Sequence, residues 1–222
     1  MPYGQKSKPG YPATHRHREQ ESTGLNPDGI DLERLRSVLF PTPVRSVFVA
    51  EEGVGDEDLT PASILFPIVL RESGPSVLLT QRTDHLRDHP GQISFPGGRV
   101  EPDDSSPAHT ALREAEEEIG LSPEHVEIVG YLPEYRTGTG FRVTPVVAIV
   151  RPPFELTPDS EEVAEVFEVP MNFLMDPSNH QQHMIHNRGR LRPYFAVPYG
   201  SYFIWGATAG IIVALYRALS AR

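Results

Sequence analysis

The stretch FPGGRVEPDDSSPAHTALREAEEEIGL, residues 95–121, decides how this chain is read. It joins a Pro-Gly-Gly turn to a segment with helical spacing. Ala108, Ala111, Leu112, Ala115 and Ile119 recur on one stripe, which predicts a helix facing a core. Most of the stripe is alanine, so the helix can approach a sheet closely. Pro107 suits the first turn, with Ser105 or Ser106 as the N-cap. Gly120 reads as the helix stop. On this helix Glu114, Glu117 and Glu118 stand at i, i+3 and i+4, so their carboxylates are expected to converge. Like charges placed this way cost about 0.2–0.5 kcal/mol per pair on an exposed helix. A hard divalent cation with oxygen ligands offsets that cost, and beside a glycine turn it is suited to polarising a phosphate. Arg113, four residues before Glu117, can brace that carboxylate. Glu116 points away and reads as solvated. A glutamate-rich helix alone is most simply a solvated face. The Gly-Gly turn, Arg113 and Gly120 around the glutamates argue for a site instead.

The residues just upstream, LLTQRTDHLRDHPGQISFPGG at 78–98, add two arginines. Arg82 and Arg87 carry planar forks apt for phosphate oxygens. Alone they would read as surface arginines at a strand end. His85 and His89 beside them read as surface or packing histidines rather than a general base.

Together these stretches resemble a known family. Residues 113–121, REAEEEIGL, match the second half of the Nudix box position by position. Counted from Gly98, the loop before Arg113 is one residue longer than the general pattern, and Asp104 most nearly matches the loop acid. Residues 78–98 resemble the signature of the coenzyme A diphosphatase subgroup, with Arg82, Arg87, Gly91, Phe95, Pro96, Gly97 and Gly98 in register and Thr83 where Ser or Ala is usual. The two motifs span Leu78 to Leu121, about a fifth of the chain.

The resemblance implies an α/β fold, a Nudix-type α/β/α sandwich with a mixed β-sheet. It implies hydrolysis of the diphosphate of coenzyme A or its derivatives to 4′-phosphopantetheine and adenosine 3′,5′-bisphosphate, with Mg2+ or Mn2+. Glu114, Glu117, Glu118 and Gly98 would hold the metal. Arg113, Glu117 and Glu118 would be catalytic. Arg82, Arg87, Gly91, Phe95, Pro96 and Gly97 would meet the substrate. By analogy Glu161 or Glu162 could be the base; otherwise they form a solvated acidic loop. Two alternatives stand beside this reading. One is a Nudix diphosphatase acting on ADP-ribose, NADH, a diadenosine polyphosphate or an oxidised nucleotide. The other is a non-catalytic, nucleotide-sensing or protein-binding Nudix module, which the intact box disfavours.

Composition narrows the rest. The 222 residues contain no cysteine, so thiolate catalysis, disulfides and Cys-based zinc sites are excluded. A net charge of −10 argues against a general nucleic-acid binder. No apolar run reaches membrane-spanning length, and a cytoplasmic protein is expected. The oligomeric state is not readable. Residues 1–29 read as a disordered tail, with His15 and His17 solvated, and residues 30–222 as one domain. Within it, Asp31 to Leu39 reads as a short helix. Ser63 to Leu70 and Ser76 to Gln81 read as a hairpin, and Val126 to Leu132, Arg142 to Val150 and Val163 to Val169 as strands. Arg136 to Gly140 reads as a flexible connection and Met171 to Met175 as a helical turn. The histidines at 180, 183 and 186 lack the spacing of a metal site. Tyr194 to Gly206 is aromatic and strand-like. Its stripe reads as core rather than as an adenine platform. A last helix runs from Ala207 through Leu219.

Overall fold

A computed structural model describes residues 31–45, 59–86, 89–187 and 190–221. The proposed tail and Arg87 lie outside the described residues. In chain order the elements are α1 (Leu32–Val38), β1 (Thr60–Val69), β2 (Ser76–Arg82), β3 (Ile93–Ser94), β4 (Gly97–Arg99), α2 (Pro107–Ile119), β5 (Val126–Tyr131), β6 (Tyr135–Arg136), β7 (Phe141–Val150), β8 (Val163–Pro170), α3 (Met171–Leu174), β9 (Gln181–Asn187), β10 (Arg190–Tyr199), β11 (Tyr202–Trp205) and α4 (Gly206–Ser220).

The main sheet is mixed. Its order is β3-β2-β1-β7-β5, with β4 on β1, β6 on β7 and β8 on β2. The parallel pair β1–β7 runs from Thr60↔Phe141 to Val69↔Val150. Both strands are continuous apolar runs because both of their faces are covered. One face carries Leu65, Val69, Val146, Ala148 and Val150 under α2, where Ala111 and Ala115 let the helix sit close. The other carries Phe66, Ile68, Val147 and Ile149 under α1, α4 and a second, three-stranded sheet, β11-β10-β9. This is the mixed-sheet sandwich the resemblance implies. Arg34 ties the α1 and α4 ends together, its Nη2 donating to Leu219 O at 2.6 Å and Ala221 O at 2.9 Å.

The feature that makes a site is a split. β1 and β2 pair only at Ile68↔Val77 and Val69↔Ser76, then diverge. β3 stays on β2, through Thr80↔Ser94 and Gln81↔Ile93. β4 stays on β1, through Ala62↔Arg99, Ser63↔Gly98 and Ile64↔Gly97. Pro67 sits on the diverging edge at no cost. It shares the parity of Leu65, whose N–H leaves β7 to reach Pro96 O at 2.9 Å, so its missing donor falls where no strand is paired.

Boundaries moved by one to three residues from the sequence reading. Two pieces differ more. The Arg136–Gly140 connection opens with the short strand β6, paired through Tyr135↔Val143 and Arg136↔Arg142. The histidine-bearing segment is strand β9, paired with β10 from Ala196↔Gln181 to Arg190↔Asn187. Its polar sequence hid it, because only one edge of the strand is paired and its outer positions are exposed.

Candidate active site

The helix carrying the glutamates forms as its sequence dictates. Ser106 Oγ caps it by accepting from His109 N at 3.1 Å, and Gly120 ends it in the left-handed conformation at φ 69°. The glutamates then face the mouth of the split, on one side of the Gly97-Gly98 turn. Glu118 is buried, and its Oε2 accepts from Gly97 N at 3.1 Å. A Cβ at Gly98 would collide with the Glu114 carboxylate, and one at Gly97 with the Ser63 carbonyl and Ile64. Gly97 also has φ 154°, where a side chain is strained. Both glycines are therefore required by close approach: Gly98 lets the Glu114 carboxylate reach the turn, and Gly97 lets the turn lie on β1.

Two buried carboxylates on this helix and its loop have opposite environments. The Asp104 side chain is 2 % exposed and holds Arg113 by both oxygens, at 3.1 Å from Nε and 3.0 Å from Nη2. Thr110 Oγ1 and Glu101 N also donate to it, at 3.0 and 2.8 Å. The Arg113 guanidinium, followed by these further donors, holds Asp104 well below the usual carboxylate range, and Asp104 in turn raises Arg113. Glu118 is the reverse. Its nearest cation among the described residues is Arg82, Nη1 at 4.0 Å from Oε1. Burial pushes Glu118 up to about 8, with the Glu114 and Glu162 charges adding to burial and the Gly97 bond and Arg82 opposing it. Burial also raises Glu114, against the pull of Arg113.

The three box glutamates do not meet as the spacing alone suggested. Arg113 Nη1 takes Glu114 Oε1 at 3.0 Å and Glu117 Oε2 at 2.9 Å. That draws Glu117 outward, its side chain 60 % exposed. Among the described residues no group of three or more His, Asp or Glu side chains is gathered as a ready metal cage. Glu114 and Glu118 remain at the turn, and Glu162 acts on both through its charge. Helical spacing places side chains on a face; it does not say which neighbour each will turn to.

Of the upstream motif, Arg82 and the Gly97-Gly98 turn lie at the mouth. Arg82 faces Glu118. Gly91, at φ 65°, lies so close to Asp84 that a Cβ would come within 2.8 Å of Oδ1. Phe95 and Pro96 correct the expectation of substrate contact through their side chains. Both are buried. Phe95 packs on Phe66 with centroids 4.6 Å apart, and Pro96 O fixes β1 by accepting from Leu65 N. They hold the turn up from below. Of the two downstream acids, Glu161 is 86 % exposed and pairs loosely with His85 at 4.0 Å, whereas Glu162 is the one whose charge reaches the helix. Thr83 anchors that loop, donating from N to Glu162 O and from Oγ1 to Glu161 O. The structural role of Asp104 was the part sequence reasoning missed. Its signal was an acid nine residues before an arginine on a capped helix.

The donor set suits a hard cation. It is all oxygen, net negative, and includes a buried carboxylate whose counter-charge among the described residues, Arg82, stands 4.0 Å away, beside a turn whose missing side chains leave the Glu114 oxygens room.

This geometry, a capped glutamate helix laid against a Gly-Gly turn at the split of a mixed sheet, is that of a Nudix domain, and comparison agrees. The family model of the NUDIX domain matches residues 60–187. The chain belongs to the Nudix family. It is 47 % identical over 151 residues to the "Uncharacterized Nudix hydrolase NudL" of Enterobacter sp. strain 638, covering 68 % of this chain and 78 % of that one. It is 44 % identical over 151 residues to the NudL of Escherichia coli K12, with the same coverages. Among solved structures it is similar to a MutT/nudix family protein from Enterococcus faecalis, with a TM-score of 0.46, 17 % identity and coverage of 75 % of this chain and 64 % of that one. It is also similar to a C. elegans Ap4A hydrolase binary complex, with a TM-score of 0.44, 19 % identity and coverage of 50 % and 80 %. No helix among the described residues is long and apolar enough to cross a membrane.

Proposed function

We propose that this Nudix hydrolase cleaves the diphosphate of coenzyme A or its derivatives, giving 4′-phosphopantetheine and adenosine 3′,5′-bisphosphate. The observation that carries the hydrolytic half is Glu118, a buried carboxylate facing Glu114, the Gly97-Gly98 turn and Arg82 at one mouth. What supports the substrate is the motif at residues 78–98, of which Arg82 and the Gly97-Gly98 turn lie beside Glu118.

Glu114 and Glu118 are the residues that would hold Mg2+ or Mn2+, with the Gly98 backbone beside them. Bound there, the ion supplies neutralisation of phosphate charge and a more acidic water. The chain's own residues do the remainder. Arg113, locked by Asp104, keeps Glu114 and Glu117 in fixed orientations. Arg82 reaches the same space as Glu118, so it serves the diphosphate oxygens. Glu162 would take the proton from the attacking water. The water oxygen bonds to one phosphorus while that phosphorus parts from the bridging oxygen, and the second phosphate leaves with that oxygen.

The test is a product assay by mass spectrometry with coenzyme A, ADP-ribose and NADH side by side, with and without Mg2+. Metal-dependent 4′-phosphopantetheine from coenzyme A, with little cleavage of the others, is the expected result. Preferential cleavage of ADP-ribose or NADH would keep the hydrolase and discard the coenzyme A reading.

A further inference from the structure

The aromatic run of residues 194–206 divides between two faces of the small sheet. Phe195, Val197, Tyr199, Tyr202 and Ile204 enter the core. Of their alternates Ala196 is buried, while Tyr194, Phe203 and Trp205 keep part of their surface exposed. Tyr194 pairs across the sheet with His183, and Ala196 with Trp205, so His183, Tyr194 and Trp205 share the outer face. Their rings form a row: His183 stacks on Tyr194 at 5.4 Å, and Tyr194 meets the Trp205 edge at 5.6 Å. Trp205 is only half-buried. Core packing explains the inner face and leaves this row without a task.

The chain just after the row docks on β3. Directly after Trp205, a Cβ at Gly206 would lie 3.8 Å from Gln92 Nε2. Thr208 Oγ1 donates to Ile93 O at 2.9 Å, which docks this corner on β3. Gln92 O accepts from Arg82 N at 3.0 Å, and Arg82 faces Glu118. On β10, Arg192 shares the parity of Tyr194, which places a cation on the same face of the sheet.

We infer that Trp205 is a stacking platform for the base of an adenine nucleotide, with the Gln92 amide beside it to hydrogen-bond the base edge. This rests on the proposed diphosphate chemistry and adds which half of the substrate lies towards the small sheet. An aromatic ring with an amide near it suits a nucleotide base better than a pantetheine arm.

Trp205 is the chain's single tryptophan, which makes it its own reporter. Its emission is followed while Glu118→Gln protein, unable to turn over, is titrated with adenosine 3′,5′-bisphosphate or with 4′-phosphopantetheine. Saturable quenching by the nucleotide half alone is expected. In steady state Trp205→Ala should raise KM for an adenine-containing substrate about 10-fold or more with kcat little changed, and Trp205→Phe should recover most of it. No quenching by the nucleotide, or an unaltered KM in a folded Trp205→Ala protein, would overturn the assignment. The two readings fail separately. If ADP-ribose is cleaved instead of coenzyme A but Trp205 is still quenched, the platform stands and the coenzyme A reading falls. If coenzyme A is cleaved with KM indifferent to Trp205, the reverse holds.

Discussion

Asp104 and Glu118 are both buried carboxylates within one short reach of helix α2, yet they are opposites. Asp104 accepts from Arg113, Thr110 and a backbone N–H, and its charge is fully matched. Glu118 has one backbone donor and an arginine at 4.0 Å. Natural folds seldom leave a buried charge under-compensated. The difference teaches where stability and function part on this helix. The Asp104–Arg113 clamp makes the helix and loop one body, and the uncompensated Glu118 is the group a cation would complete.

The largest effect expected from breaking that contrast is on turnover. Glu118→Gln should lower kcat by at least about 100-fold with the fold intact; near-native turnover would mean Glu118 is not at the reacting centre. Gly98→Ala should follow, with a loss of about 10-fold or more, because the added methyl drives the Glu114 carboxylate from the turn. Activity at the native level there would show that Glu114 is free to move without consequence.

Asp104→Ala should cost about 1–3 kcal/mol, since half-buried Arg113 loses its bidentate partner while keeping Glu114 and Glu117. Urea unfolding measures this, and a cost under about 1 kcal/mol would deny the clamp. In Glu161→Gln and Glu162→Gln, only the second should lower kcat, and equal effects would remove the distinction drawn between them.

The smallest effect is the pH dependence of stability without added metal, and the two carboxylates predict opposite signs. The folded pKa of Asp104 is depressed, so its contribution is present above its ordinary value of 3.8 and lost as pH falls below it. The folded pKa of Glu118 is raised from 4.5 to about 8, so the folded protein binds the extra proton and stability declines as pH rises across that window. Glu118→Gln should flatten the decline in Tm between those values, and Asp104→Asn should leave it unchanged. A wild-type Tm that does not fall over this range would contradict the environment assigned to Glu118.

Much of this was legible beforehand because it rests on local rules. The cap at Ser106, the stop at Gly120 and the alanine stripe follow from helix chemistry, and the apolar runs of β1 and β7 announce a doubly covered sheet. What stayed hidden depends on partners far along the chain or on choices among neighbours. Nothing local told that Glu117 would turn to Arg113 and leave Glu114 and Glu118 at the turn. Phe95 sat in a functional motif, yet its bulk is spent on Phe66. The aromatic run read as core was half core, because a period of two sends alternate rings to opposite faces and only tertiary packing decides which face is covered.

The most direct test of the central claim is a calorimetric titration of Mn2+ into wild type, Glu118→Gln and Glu116→Gln, the last an exposed glutamate on the far face of the same helix. The account predicts saturable binding to wild type and Glu116→Gln, and affinity lost by about 100-fold or more in Glu118→Gln. Equal binding by all three would place the cation elsewhere and contradict the site.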